Sequence, residues 1–325
     1  MLASEKNRVL FEENNASAVF LRFVNILPSF HPFCSPLSSF PSAAKLLSMN
    51  IAVLGLGIIG SAWAKNLIAD GHTVRGWNRT PGDFPNFHPS IQSAVDKAEA
   101  VFVVVSDPSA VQSVLGQIVS KLGPGQVVIQ SSTISPRWTL RFAEQVQQTG
   151  ASFLEAPFTG SKIAAQERQT VYYLGGDIEL VEKMRPVLKP ISSALLYVGP
   201  LGTASSLKLA MNMNIASIAQ ILCESLALCR SSGISDDVFF EALSRNAAHS
   251  GLSDLKQSKL RKHDYSPQFA LKHMDKDLRL ALETAADLAL PIEHTQALKN
   301  IYEKGMAAGW RDDDFIGLVR LLEKR

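Results

Sequence analysis

The chain is 325 residues long, with 32 Lys and Arg against 30 Asp and Glu and a formal net charge of +2. Hydrophobic residues supply 46% and charged ones 19%, a globular composition with enough length for two domains. The balanced charge argues against a nucleic-acid or anionic-membrane binder, and three scattered cysteines (Cys34, Cys223, Cys229) exclude a disulfide framework or a zinc knuckle.

No uninterrupted apolar run reaches about 18 residues, the length of a spanning helix. The long apolar stretch 207–229 is broken by Lys208, Asn212, Asn214, Gln220 and Glu224. The expectation is a soluble protein of a reducing compartment, binding neither membrane nor nucleic acid.

Residues 1–48 carry no sustained helical or strand period. From Asn14 to Ser48 there is no acidic residue, while seven Ser and four Pro crowd the stretch. Acid-poor and Ser-rich is how an organelle transit segment reads, but only Arg22 and Lys45 are basic there. The readings left open are a disordered extension, an upstream start with Met49 as the functional one, and a transit segment. The location expected is cytoplasmic, or organellar if the transit reading holds.

The fold signal begins at Met49. Asn50 to Leu54 reads as a buried strand, Gly55-Leu56-Gly57-Ile58-Ile59-Gly60 follows directly, and a helical stretch runs from Ser61 to Ala69. In this strand–turn–helix context the glycine motif is a dinucleotide fingerprint, whereas alone it would be a weak one. Gly55 permits the turn, Gly57 lets backbone approach a pyrophosphate, and Gly60 lets helix and strand pack closely. Free N–H groups at the helix start would take the phosphates.

The second strand, Thr73 to Trp77, ends in Asn78-Arg79-Thr80, where an acidic residue would hold the ribose hydroxyls of NAD. None stands there. Arg79 offers a guanidinium fork for a 2′-phosphate, flanked by Asn78 and Thr80 as donors, so NADP(H) is expected over NAD(H). The plainer alternative is a solvated surface arginine. The segment after Thr80, Pro81-Gly82-Asp83-Phe84-Pro85, cannot make a helix, so the next crossover is short or irregular.

Further strands read at 100–105, 126–130, 152–155, 171–174 and 194–198. Val105-Ser106 and Ser131-Ser132-Thr133 stand at strand ends, where ligands meet an open α/β sheet. Pro136 fits a first helical turn with Ser135 as its cap. The β-α alternation to about residue 200 predicts a doubly wound, mostly parallel sheet.

From Gly202 the pattern is helical only: one long helix over 204–232, another over 236–244, and much of 266–325. This divides the chain into 1–48, a dinucleotide-binding domain over 49–200, and an all-α domain over 201–325. Lys208 and Asn212 are four apart and share a helix face near its start. Polar groups beside Leu207, Met211 and Ile215 need partners or a cleft, although a snorkelling lysine with a satisfied core asparagine fits the spacing too.

The ordered set Gly55-Leu56-Gly57, Asn78-Arg79-Thr80, Ser132-Thr133, Ala156-Pro157-Phe158-Thr159-Gly160-Ser161, Gly202…Lys208…Asn212 and Lys276-Asp277 resembles the β-hydroxyacid dehydrogenase family. That family includes 3-hydroxyisobutyrate dehydrogenases and glyoxylate/succinic semialdehyde reductases. The resemblance covers 49–325 and implies an N-terminal Rossmann domain, an all-α C-terminal domain and a cleft between them. It implies Lys208 as catalytic lysine with Asn212 orienting substrate, and Thr159, Gly160, Ser161 and Asn212 as substrate ligands. Gly55 to Gly60, Asn78 to Thr80, Val105, Ser106, Thr133 and Lys276 would hold the cofactor. Expected partners are a small carbonyl or hydroxy-acid substrate and a second copy, as homodimer or homotetramer.

Ser161-Lys162 is closer to the glyoxylate-reductase form of the substrate loop than to the paired glycines of 3-hydroxyisobutyrate dehydrogenase. Departures are Ile59 for a methionine, a short segment after Thr80, Thr159 for a serine, and Arg168 for a glycine. The last two are expected to touch the substrate pocket. No metal is expected, because no His, Cys and carboxylate cluster has ligand spacing, and His273 reads as a structural histidine. Imine reductases share the fold but usually carry Asp or Tyr where Lys208 stands. A non-catalytic relative would tend to lose the lysine, and an NAD-dependent 3-hydroxyisobutyrate dehydrogenase is disfavoured by Arg79 and Ser161.

Overall fold

A computed structural model describes residues 48–84 and 86–323. The reading of residues 1–48 as an extension or transit segment, and Cys34 with it, lies outside the described residues apart from Ser48.

Among the described residues eight strands make the sheet, and the central ones are short, buried, mostly apolar runs. In chain order the eight are β1 (Asn50–Leu54), β2 (Thr73–Trp77), β3 (Ala100–Val103), β4 (Val127–Gln130), β5 (Ser152–Glu155), β6 (Phe158–Thr159), β7 (Thr170–Gly175) and β8 (Ser192–Gly199). The helices between them are α1 (Ile58–Ala69), α2 (Ile91–Val95), α3 (Pro108–Ile118), α4 (Pro136–Gln147), α5 (Lys162–Gln166) and α6 (Ile178–Leu188). Strands β2, β1, β3, β4 and β5 lie side by side and pair in parallel. Their faces bury two separate apolar layers, as a doubly wound sheet requires.

Beyond β5 the sheet turns mixed. β7 runs antiparallel to β5 and to the two-residue β6, and β8 pairs parallel with β7 at the edge. β6, two residues long, is too short to show alternation in the sequence. Trp63 of α1, fully buried, locks this corner: its ring stands edge-on to Phe158 at 4.7 Å and its Nε1–H donates to Thr170 at 3.1 Å.

The irregular crossover after β2 ends in the five-residue α2, in keeping with the helix-breaking 81–85 segment. Ser135 holds the cap position of α4 without a side-chain bond, so its role there is conformational only.

After residue 202 all elements are helical: α7 (Thr203–Ser231), α8 (Asp236–Ser244), α9 (Gly251–Lys262), α10 (Leu271–Asp287), α11 (Glu293–Ala307) and a 3₁₀ turn at Phe315–Leu321. By length and composition α7 is apolar enough to cross a membrane, although polar residues interrupt its apolar run. Its Ala216, Ala219, Cys223 and Leu226 instead meet Tyr302, Phe315 and Leu318 in one core.

Several ties join sheet and helices, and two of them lie at the start of α7. Glu155, at the end of β5, is fully buried and accepts the Gly202 amide at 2.8 Å and the Ser205 amide at 2.6 Å. It therefore occupies the positive end of α7, while Gly202 adopts a left-handed φ of 93° to begin the helix. Burial raises the Glu155 pKa, and the donors around it oppose that rise. Thr139 of α4 and Ser205 of α7 are hydrogen-bonded at 2.9 Å beside it.

Candidate active site

The glycine turn sits where the strand order reverses between β1 and β3, the crevice in which open α/β sheets bind ligands. A Cβ on Gly55 would lie 2.2 Å from the Val104 carbonyl oxygen, and one on Gly60 would lie 2.0 Å from that of Gly55. Both glycines are fixed by packing. A Cβ on Gly57 would meet nothing within 4 Å. That glycine faces open space, so a ligand could approach its backbone closely. The first turn of α1 has no side-chain cap and no acidic residue, so its amides are free for an anion. These features fit a dinucleotide pyrophosphate.

Around this turn the expected cofactor residues take different positions. Leu56 and Ile59 pack against the core, whereas Ile58 is exposed. Val105 donates its amide to Ser132 Oγ at 2.8 Å, holding the β3 and β4 ends together. The strand expected over 100–105 stops at Val103; beyond it Val105 packs against the core and Ser106 lines the cleft. Asn78 spends its amide on the Thr80 carbonyl at 2.9 Å, shaping the turn that presents Arg79. Arg79 makes no hydrogen bond or ion pair among the described residues, and it shares a cleft of about 600 Å³ with Ser106 and Lys276.

The second half of the site comes from α7 and α10. Asn212, 3% exposed, donates its amide to Asp277 Oδ2 at 2.6 Å. Asp277, 2% exposed, pairs through Oδ1 with Lys276 at 2.8 Å. Lys276 in turn donates to the Thr133 carbonyl at 2.9 Å, bridging the helical half to the end of β4. Asp277 is thus the buried carboxylate that organises this cluster. The Lys276-Asp277 motif marked its position, but only Lys276 was given a role from the sequence.

Lys208 lies one turn before Asn212 and has no hydrogen-bond partner among the described residues. It keeps partial solvent access, yet the protein packed around its ammonium lowers the pKa to about 8. Burial is the main cause; the Lys276 charge acts in the same direction and the Asp277 charge opposes both. His273 lines the cleft beside Lys276, and burial together with the charges of Lys276 and Lys272 lowers its pKa.

Thr159 closes β6, Gly160 and Ser161 join it to α5, and none of the three makes a hydrogen bond to Lys208 or Asn212. Gly160 has a φ of 141°, and Ser161 caps α5 by accepting the Ala164 amide at 3.4 Å. Arg168 is a correction. It takes a left-handed φ of 60°, and its guanidinium bonds Asp70 at 2.7 Å and the Pro190 carbonyl at 2.9 Å. It ties α1 to the edge of the sheet and is not a pocket residue; a glycine satisfies the same backbone angle without strain. Among the described residues no cluster of His, Cys and carboxylates could hold a metal.

Comparison with known proteins adds names to this geometry. Residues 50–199 match the NAD binding domain of 6-phosphogluconate dehydrogenase, and residues 202–322 match the NAD-binding domain of NADP-dependent 3-hydroxyisobutyrate dehydrogenase. The chain is 30% identical over 315 residues to a chloroplastic glyoxylate/succinic semialdehyde reductase 2 of Arabidopsis thaliana, covering 94% of this chain and 88% of that one. It is 28% identical to the human cytokine-like nuclear factor N-PAC over 83% of this chain, spanning about half (51%) of that protein. A solved 3-hydroxyisobutyrate dehydrogenase of Mycobacterium tuberculosis with L-serine superposes with a TM-score of 0.78 at 25% identity, covering 86% of this chain and all of that one. With its Rossmann sheet, its all-α second half and these matches across both, the chain belongs to the β-hydroxyacid dehydrogenase family of nicotinamide-dependent oxidoreductases.

Proposed function

We propose that the protein is an NADP(H)-dependent reductase that interconverts a small aldehyde or oxo-acid and its hydroxy acid, with Lys208 as general acid and base. The observation that carries this reading is a lysine of pKa about 8, without a protein partner, one helical turn from an asparagine held by a buried carboxylate. The cofactor, when bound, supplies or accepts the hydride. Lys208 Nζ then hydrogen-bonds the carbonyl oxygen, polarises it and gives it a proton as negative charge develops. In the oxidising direction the neutral amine removes the hydroxyl proton, and a pKa near 8 leaves an appreciable neutral fraction at physiological pH. Asn212, its amide fixed by Asp277, has its carbonyl oxygen left to accept from a substrate hydroxyl. Thr159, Gly160 and Ser161 are assigned to the substrate carboxylate. The domain limits 49–200 and 201–325 accompany this division of labour, and the active assembly is a homodimer or homotetramer.

NADP(H) is preferred over NAD(H) because Arg79 stands partnerless at the end of β2, where no acidic residue replaces it to hold the ribose hydroxyls. Charge-assisted bonds to that phosphate are worth roughly 1.5–3 kcal/mol, or about 10–150-fold in affinity. The test is a panel of glyoxylate, succinic semialdehyde, methylmalonate semialdehyde and a cyclic imine, assayed with NADPH and NADH on wild type and Arg79→Ala. Expected is reduction of an aldehyde or oxo-acid with NADPH preferred, and loss of that preference in the variant. Turnover of the imine alone, equal use of both cofactors, or no turnover at all would each break the corresponding part of the reading. Location in the cytoplasm or an organelle is decided by where residues 1–48 carry a fluorescent reporter; a chloroplastic relative supports the organellar alternative.

A further inference from the structure

We propose that Lys272 and Arg311 of the helical half form a second wall of the 2′-phosphate site, opposite Arg79, so that the cofactor's ribose phosphate is held from both halves of the protein. This rests on the NADP(H) reading above and extends it to named residues that neither the glycine motif nor the family motifs include.

The cleft that Arg79 enters is lined by five cationic side chains, Arg79, Lys272, Lys276, Arg279 and Arg311, against one carboxylate, Asp107. Asp107 is already engaged. It accepts from Ser106, from Ser109 and from the Ala110 amide; burial pushes its pKa up, but these bonds and the Lys276 charge outweigh burial and bring it down to about 2. Lys276 is committed to Asp277 and Thr133, and Arg279 pairs with Glu283 one turn along α10.

Lys272 and Arg311 are different. They share a single exposed carboxylate, Asp312, at 2.5 Å and 4.0 Å, which leaves the pair with an excess of positive charge. Backbone geometry holds them side by side. The Lys272 amide donates to the Arg311 carbonyl at 3.0 Å, and the Leu271 amide to the Asp313 carbonyl at 2.8 Å. A dianionic phosphate monoester offers three acceptor oxygens, more than one guanidinium fork can satisfy. The pyrophosphate has its own site at the free amides of α1, so the surplus charge at Lys272 and Arg311 matches the extra phosphate that distinguishes NADP from NAD.

The experiment titrates 2′,5′-ADP and 5′-AMP calorimetrically into the full-length protein, with wild type, Arg79→Ala and the double variant Lys272→Gln/Arg311→Gln. Expected is a loss of about tenfold or more in 2′,5′-ADP affinity in the double variant, with 5′-AMP affinity unchanged as the control for folding. A double variant that binds 2′,5′-ADP like wild type, while Arg79→Ala loses it, overturns the second wall and leaves the NADP(H) reading standing. Equal loss of both ligands in the double variant also overturns it, since the residues would then serve the nucleotide as a whole. A wild type without preference for 2′,5′-ADP removes the NADP(H) reading itself.

Discussion

Two helices of this protein begin beside the sheet, and their positive ends are treated in opposite ways. α1 starts at Gly57 with no side-chain cap and no acidic residue in its first turn. α7 starts at Gly202 with the carboxylate of Glu155 bonded to its first amides. The first end has no side-chain acceptor among the described residues, and the second is satisfied from within. A free end suits a cofactor that must come and go. A closed end suits a helix that must hold Lys208 and Asn212 in one place relative to the sheet.

Lys208→Ala tests the purpose of the closed end and carries the largest expected effect. Turnover should fall about 10²–10⁴-fold with little change in cofactor affinity, and Lys208→Arg should be nearly as impaired because guanidinium does not release its proton. Single-turnover kinetics and melting temperature measured on the same samples check this. Near-native turnover in Lys208→Ala would return the residue to a packing role.

Glu155→Ala should open the closed end itself. The amides of Gly202 and Ser205 would lose their acceptor, at a cost of roughly 1–3 kcal/mol each. Denaturant titration should therefore show a loss of about 3 kcal/mol, with Glu155→Gln recovering part of it; an unchanged midpoint would mean the anchor is dispensable.

At the open end, Gly57→Ala should leave stability intact and weaken NADPH binding about tenfold, because its methyl group enters the space meant for the ligand. Gly60→Ala should do the reverse first, lowering the melting temperature, since its Cβ strikes the Gly55 carbonyl. Fluorescence titration beside thermal unfolding separates the two.

The smallest effect is a pH shift. The Lys208 ammonium is present below about 8 and lost above it, so reductive turnover should fall as pH rises through that value. Asp277→Asn removes the charge that favours the ammonium, and the alkaline limb should move to lower pH. A limb that stays in place would show that another group controls it.

The contrast between the two ends also marks how far the sequence could be read. Gly55, Gly57 and Gly60 were legible because all three fall within six residues between a strand and a helix. The long helix and the Lys208–Asn212 spacing were legible because they too are local in the chain. Glu155 was not, because its partners lie 47 and 50 residues away and a lone acid closing a strand carries no local signature. α9 escaped because Lys256 and Lys259 point inward from it, which blurs the apolar period; its Ser250 and Ser253 capping box was the one available signal. Arg168 misled because a residue standing in for a glycine was judged by its side chain, whereas the site is selected by its backbone angle.

The anchoring of α7 at one end makes the helix a lever with its fulcrum at Glu155. At 1.5 Å rise per residue, Lys208 stands about 8 Å from that fulcrum and the far end of the helix about 42 Å away. A tilt of about 5° would carry the far end through roughly 4 Å but Lys208 through only about 0.7 Å. A tilt of the helical half about that point would therefore leave the distance of the lysine from the nucleotide crevice nearly unchanged, and the Lys276 bond to the Thr133 carbonyl limits how far such a tilt can go.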